Sequence, residues 1–266
     1  MTRFRSDKPN VANLPRSEGF RPYRELFDAE KTCLVTDLDG CLVNTLEMIQ
    51  IYIWDRYQRW VPGEDIKWFN VGEAIYEHLG DLYDSTDELN KSLWDGLWNV
   101  GLWYQNARPI YAYWQALLSW QQRASIPIHF LTARPDCLHA TTMGWLRRWG
   151  FSPSSGCVVL EGGSIEKIKH LQQWAETYDN LVFVDDRIST ILGAARAKIP
   201  GLKLVLFAQP WNLASSRDWC QTPLILEGKP CYEHPEWDLF LHHGFDVGFR
   251  RLTEAQIAQG IIEGLE

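Results

Sequence analysis

The sequence predicts an α/β fold: a Rossmann-like, doubly wound parallel sheet that carries an inserted helical cap domain. Three observations predict it. From Cys33 onward, short apolar runs alternate with longer segments of helical period, the pattern of strands joined by crossover helices. The apolar runs are nearly continuous, which suits strands covered on both faces. The first run and the second are separated by roughly 90 residues, more than one crossover helix needs, so something is inserted between them.

Residues 1–30 read as an N-terminal arm; over its first 24 residues Arg3, Arg5, Lys8, Arg16, Arg21 and Arg24 face only Asp7 and Glu18, the composition of a solvated, frayed terminus. Strands are expected at residues 33–36, 128–131, 157–160, 181–184 and 202–207. Between them, 138–149 reads as a helix stopped by Gly150, and 165–178 as one that begins after Gly163 and Ser164. The core therefore takes residues 31–44 and 126–266, and the helical cap takes residues 45–125. Within the cap, Leu46, Ile49, Ile53, Tyr57, Trp60 and Val61 recur at helical spacing, and Ser85 with Glu88 predicts a capping box ahead of Leu89, Leu93 and Leu97. Pro109 opens a further amphipathic run through Tyr113, Leu117 and Leu118. A last helix is expected over 253–265, with Gln256 completing its cap motif.

With 266 residues, 45% of them hydrophobic and 23% charged, the chain has an ordinary globular composition and the length for one core plus a smaller insert. A net charge of −8 repels polyanions, so long nucleic acid is not the default partner. No apolar run approaches the roughly 20 residues needed to span a bilayer, and residues 1–20 lack the apolar middle of a secretory signal. The expectation is a cytoplasmic protein with no membrane partner and with its six cysteines reduced. Cys220, Cys231, His234 and His242 are letters a zinc ion could use, but their spacing fits no standard site.

The chemistry is concentrated at strand ends. The first strand closes in Thr36-Asp37-Leu38-Asp39-Gly40-Cys41-Leu42, with two carboxylates two residues apart where an extended chain turns away. Phosphoryl transfer to a carboxylate needs an aligned nucleophile, a metal to neutralise phosphate charge and an acid for the leaving alkoxide. Asp37 suits the first role and Asp39 the last, while Gly40 lets the backbone turn sharply beside a ligand. The second strand closes in Leu131-Thr132-Ala133-Arg134, the fourth in Val184-Asp185-Asp186-Arg187, and Lys167 opens the helix that leads into the fourth. Ligands of open α/β sheets bind at the carboxyl ends of the strands, so these clusters should converge. Thr132, with Ala133 and Arg134 behind it, and Lys167 would then bind the phosphoryl group, while Asp186 joins Asp37 on an octahedral Mg²⁺ and Asp185 supports the metal from behind or through water. Lys169, two residues on, is the alternative lysine; Ile168 and Leu171 mark the buried helix face and favour Lys167 at the sheet edge.

Asp37-x-Asp39-Gly40-x-Leu42, then Thr132, Lys167 and Asp185-Asp186, resembles the four-motif pattern of the haloacid dehalogenase (HAD) superfamily over residues 31–44 and about 126–210. The resemblance implies a phosphatase with an aspartyl-phosphate mechanism, Mg²⁺ held by Asp37, the Asp39 carbonyl oxygen and Asp186, and an insert that acts as a mobile cap. The Leu131-to-Pro135 and Val184-to-Arg187 segments and Phe207-Ala208-Gln209-Pro210-Trp211-Asn212 are similar to the 5′(3′)-deoxyribonucleotidase branch. Where that branch has a Pro-x-Pro-Gly-like turn, however, this chain has Ala107-Arg108-Pro109-Ile110. The Asp185-Asp186-Arg187 end also resembles the phosphatase half of polynucleotide kinases. The implied partner is a small phosphorylated substrate such as a nucleotide, with a 3′-phosphorylated nucleic-acid end as the alternative. The many rings of the insert, among them Trp54, Trp60, Trp68, Phe69, Trp94, Trp98, Trp103, Tyr104 and Trp114, supply a core for a small cap, and some could stack on a base.

Two other classes use related letters. Receiver domains combine an acidic pair, a phosphorylated Asp, a hydroxyl and a Lys, but there the acidic pair comes first, whereas here it closes the series. A non-catalytic phosphate-binding protein on the same fold lacks none of these residues and differs only in turnover.

Overall fold

The computed structural model describes residues 24–66, 71–152, 158–160, 163–212, 225–226, 229–230 and 249–266. The strands are β1 (Cys33–Thr36), β2 (Ile128–Thr132), β3 (Val158–Leu160), β4 (Leu181–Asp185), β5 (Leu202–Phe207), β6 (Ile225–Leu226), β7 (Lys229–Pro230) and β8 (Phe249–Leu252). Six of them make one sheet in the order β3-β2-β1-β4-β5-β8, every neighbouring pair parallel, and β6 pairs with β7 in an antiparallel ribbon. The order runs outward in both directions from β1, the doubly wound arrangement expected from the sequence, and it places the ends of β1, β2 and β4 side by side.

Alternation along each strand divides the core in two. Leu34, Phe130, Val182, Val184, Val205 and Phe207 join one apolar cluster, with Tyr113, Trp120, Trp145, Ile257 and Ile261 from helices α5 (Tyr111–Arg123), α6 (His139–Arg148) and α9 (Glu254–Gly264). Val35, Leu131, Phe183, Leu204 and Leu206 turn to the other face, with Leu171, Ile188 and Ile191 of α7 (Ser164–Ala175) and α8 (Ile188–Arg196). Both faces of β1, β2 and β4 are buried, which accounts for their unbroken apolar runs.

Five strands lie where the sequence puts them, two of them one residue longer; Cys157 falls outside the described residues. The sixth, β8, was not expected, because Phe249-Arg250-Arg251-Leu252 shows only two apolar letters; charge suits an edge strand. The arm up to Tyr23, Trp68, Phe69 and the candidate zinc residues Cys220, Cys231, His234 and His242 also lie outside the described residues. Gly150 ends α6 at φ +90° as the sequence requires, and Thr253 with Gln256 forms the full capping box of α9. At Ser85 only half of the expected box forms: Ser85 Oγ accepts from Glu88 N, but the Glu88 carboxylate accepts from Asp84 N instead of Ser85 N.

The insert contributes α1 (Thr45–Tyr57), α2 (Val71–Leu79), α3 (Thr86–Val100) and α4 (Leu102–Asn106) before α5. Its entry and exit cross as a two-stranded hydrogen-bonded link: Asn44 N donates to Arg108 O at 2.8 Å, and Ile110 N to Leu42 O at 2.9 Å. Pro109 lies in this link, two residues ahead of the helix it announces. α5 packs against α9 and lies on the sheet, its Ala112 N donating to Glu254 Oε1 at 2.6 Å. Among the described residues no helix is long and apolar enough to cross a membrane.

Candidate active site

β1 delivers Asp37 in ladder register, its N–H donating to Val184 O at 2.8 Å. The chain then turns tightly, with the N–H groups of Cys41, Leu42 and Val43 all directed to Leu38 O. Gly40 makes this turn at φ +75°, and a Cβ there would collide with Asp186 Oδ2 and the Trp211 ring. Glycine is therefore required twice over, by its dihedral and by the approach of a carboxylate. From the neighbouring strand β4 come Asp185 and Asp186, so the carboxylates of Asp37, Asp185 and Asp186 offer oxygens within 4.8 Å of one another, all buried.

Among the described residues the cation inside this group is Lys167 of α7, whose Nζ lies 2.9 Å from Asp37 Oδ1 and 2.8 Å from Asp185 Oδ2. Lys169 instead pairs with Glu166 on the surface at 2.8 Å, so Lys167 is the lysine at the cluster. Burial opposes the Lys167 charge, but Asp185 and Asp37 outweigh it and push its pKa up. Burial raises Asp37 to about 7, against the pull of Lys167 and with the push of Asp185 and Asp39. Burial likewise raises Asp186 well above the usual carboxylate range, reinforced by the charges of Asp185 and Asp37. Lys167 Nζ is the partner of Asp37 Oδ1, at 2.9 Å, among the described residues. Three clustered carboxylates against one ammonium, with every donor a hard oxygen, fit a divalent cation of the Mg²⁺ kind.

The remaining expected residues surround the same space. Thr132 is buried at the end of β2, and Thr132, Ala133 and Arg134 line a cavity of about 400 Å³ together with Asp37, Lys167 and Asp186. Asp185 is wholly buried behind it, one oxygen taking Lys167 and the other accepting from Arg187 N at 2.7 Å. Arg134 does not stand free for a ligand: its Nε and Nη2 donate to the two oxygens of Asp39 at 2.7 and 2.6 Å, and Nη1 donates to Thr142 Oγ1 at 3.1 Å. The ring of Tyr104, from α4 of the insert, covers the guanidinium at 4.4 Å. Asp39 thus sits in a forked pair with Arg134.

Several residues of the site carry no motif. Tyr113 OH donates to Thr36 Oγ1 at 2.9 Å, and Thr36 Oγ1 donates to the Asp37 carbonyl at 2.8 Å, tying α5 to the first loop. The turn after β5 clamps both acidic loops: Gln209 Nε2 donates to Gly40 O, Trp211 Nε1 to Asp186 Oδ2 at 2.9 Å, and Asn212 Nδ2 to Asp186 O at 2.7 Å. In the sequence the hexapeptide ending in Asn212 stands out only by its resemblance. Its role as a clamp depends on contacts between segments far apart in the chain.

No protein-family model matches the chain, and no curated protein matches it in sequence. Solved structures do. A phosphonoacetaldehyde hydrolase-like protein from Oleispira antarctica is similar at 15% identity, over 90% of this chain and 94% of that one, with a TM-score of 0.50. A HAD-family hydrolase from Deinococcus radiodurans R1, whose structure holds phosphate and sodium, is similar at 17% identity, over 90% of this chain and 98% of that one, also with a TM-score of 0.50. At such identities the likeness is one of architecture, and on that ground the chain has the fold of the HAD-family hydrolases.

Proposed function

We propose that the chain is a Mg²⁺-dependent phosphomonoester hydrolase that works through an aspartyl-phosphate at Asp37. The observation that carries this reading is the buried cluster of Asp37, Asp185 and Asp186 around Lys167, set at the carboxyl ends of β1 and β4 and opening into a cavity of about 400 Å³. The phosphate held by the Deinococcus radiodurans neighbour is in keeping with it. Asp37 and Asp186, with the Asp39 carbonyl oxygen that the family resemblance implies, would hold the cation. When bound, Mg²⁺ neutralises phosphate charge and favours in-line attack.

In the first half-reaction an oxygen of Asp37 bonds to phosphorus, the ester P–O bond breaks, and Asp39 gives its proton to the departing alkoxide. In the second, water attacks phosphorus, Asp39 takes a proton from it, phosphate leaves and the Asp37 carboxylate is restored. Lys167 and Thr132 steady the phosphoryl oxygens throughout. Asp39 acts only after Arg134 lets go, and Tyr104 over that guanidinium makes movement of the insert the natural release. The insert, residues 45–125, is taken as the cover of the site. The packing of α5 on α9 and its bond to Thr36 support drawing the moving part as α1 to α4 and leaving α5 with the core.

The cavity supports a small substrate of nucleoside monophosphate size over a polynucleotide end, which must leave along a cationic groove. A phosphate-release screen with Mg²⁺ over nucleotides, sugar phosphates and 3′-phosphorylated oligonucleotides tests the reading. Release by the wild type that is lost in folded Asp37→Asn supports it, and release that survives the substitution refutes it.

A further inference from the structure

The cavity has two chemically different ends. Among the described residues its charged lining comes from the core: Asp37, Asp39, Arg134, Lys167, Asp186 and Arg187. The lining residues of the insert, Thr45, Ile49, Val71, Asn90, Trp94 and Tyr104, carry no charge. Among the latter, Asn90 has a single side-chain amide whose orientation is fixed by its neighbours. Asn90 Oδ1 accepts from Gly72 N at 3.2 Å and from Trp94 Nε1 at 3.1 Å. Both partners are donors only, so the atom they meet must be the oxygen, and the amide nitrogen is left as the group offered elsewhere. The backbone beneath it is equally fixed. A Cβ on Gly72 would collide with Asn90 Cβ, Cα and N, so α2 and α3 touch at this point and the amide sits on a rigid crossing.

We infer that Asn90 determines specificity on the insert side of the cavity, its Nδ2 donating a hydrogen bond to an uncharged oxygen of the leaving group. Resting on the phosphatase reading above, this defines the substrate class. The substrate is a monophosphate ester of an uncharged alcohol whose body packs on Ile49, Val71 and Trp94 and which bears a carbonyl or hydroxyl oxygen. Among the described residues, a second phosphate or a carboxylate on the leaving group meets no cation on that side of the cavity.

Asn90→Asp is the informative variant, because an aspartate oxygen keeps both bonds to Gly72 N and Trp94 Nε1 while the donor becomes an acceptor. Phosphate release is measured with Mg²⁺ for uridine 5′-monophosphate, which has carbonyl and hydroxyl acceptors, and for phenyl phosphate, which has none. The ratio of kcat/KM for the two should fall at least about tenfold in Asn90→Asp, with the change in KM, since one hydrogen bond at a closed site is worth that much and a repelled acceptor more. An unchanged ratio in folded Asn90→Asp overturns the inference. Wild-type protein gives an independent arm: kcat/KM for uridine 5′-monophosphate should exceed that for 3-phosphoglycerate by at least about tenfold. The reverse order overturns the inference even if the variant does not fold. Failure of the wild type to release phosphate from any of the three esters overturns this inference, and failure across the whole screen overturns the phosphatase reading with it; failure of the ratio alone leaves the phosphatase reading standing.

Discussion

Neutralising Asp186 should make the metal-free protein more stable while destroying its response to Mg²⁺. Of the three clustered carboxylates, Asp37 and Asp185 face Lys167 at 2.9 and 2.8 Å, whereas among the described residues the Asp186 side chain receives the Trp211 indole N–H alone, at 2.9 Å. Asp186 is 3% exposed and burial raises it well above the usual carboxylate range, so near neutral pH folding must load a proton there that the unfolded chain does not hold. Asn at this position can still accept the Trp211 hydrogen bond and needs no proton, so the substitution removes that cost with little change of shape. Relief of a buried, uncompensated carboxylate of this kind is worth about 1–4 kcal/mol. At roughly 2–4 °C per kcal/mol for a chain of this size, Tm in EDTA should rise by several degrees. Differential scanning calorimetry with EDTA and then with excess Mg²⁺ checks both halves: the wild type gains stability from Mg²⁺ by mass action, and Asp186→Asn gains little. A Tm in EDTA at or below that of the wild type, with an intact fold, would show that the cluster is not held under charge strain.

The opposite change is expected at Lys167. Lys167→Met strips the cluster of its cation and should cost about 3–5 kcal/mol in urea unfolding with EDTA present; a cost below about 1 kcal/mol would mean that the pairs contribute little. Stability should also depend on pH through Asp37, raised from 3.8 to about 7 by burial. A raised carboxyl binds more protons folded than unfolded, so its contribution is fully present below the unfolded value and is lost as pH rises through the folded one. In EDTA, Asp37→Asn should therefore be more stable than the wild type at pH 8, and the gap should close by pH 4; a gap independent of pH refutes the assignment. Trp211→Phe removes the N–H on Asp186 and should weaken Mg²⁺ binding about tenfold by isothermal calorimetry, as loss of a supporting partner typically does; unaltered affinity would make Trp211 a packing residue alone.

The parts of this protein legible in the sequence are those set by local chain properties. Continuous apolar runs marked five strands because both faces of the sheet are covered, and reactive letters at the ends of β1, β2 and β4 converge because those strands are neighbours. Lys167 could be preferred over Lys169 from helix periodicity, and the ion pairs at Lys167 agree. What stayed hidden depends on long side chains returning across the fold. The fork between Arg134 and Asp39, the reach of Gln209 to Gly40 and the bond from Tyr113 to Thr36 each join residues far apart in sequence, with no spacing to betray them. β8 was hidden for another reason: an edge strand tolerates charge, so Arg250 and Arg251 interrupt the apolar signal while the backbone still pairs. Among the rings of the insert, nothing in the sequence distinguished Trp94 and Tyr104, which line the cavity, from Trp54 and Trp60, which are exposed, because helical spacing alone does not say where a cavity opens.

The central claim is that Asp37 carries the phosphoryl group, and chemical trapping tests it most directly. An acyl phosphate is reduced by borohydride to an alcohol, so a phosphorylated Asp37 quenched during turnover becomes homoserine, which peptide mass spectrometry locates. With Mg²⁺ and a hydrolysed phosphomonoester both present, homoserine is expected at position 37 and not at Asp39, Asp185 or Asp186, and it should vanish when either is withheld. Sustained phosphate release with Asp37 unmodified, or modification at another of these carboxylates, would contradict the claim.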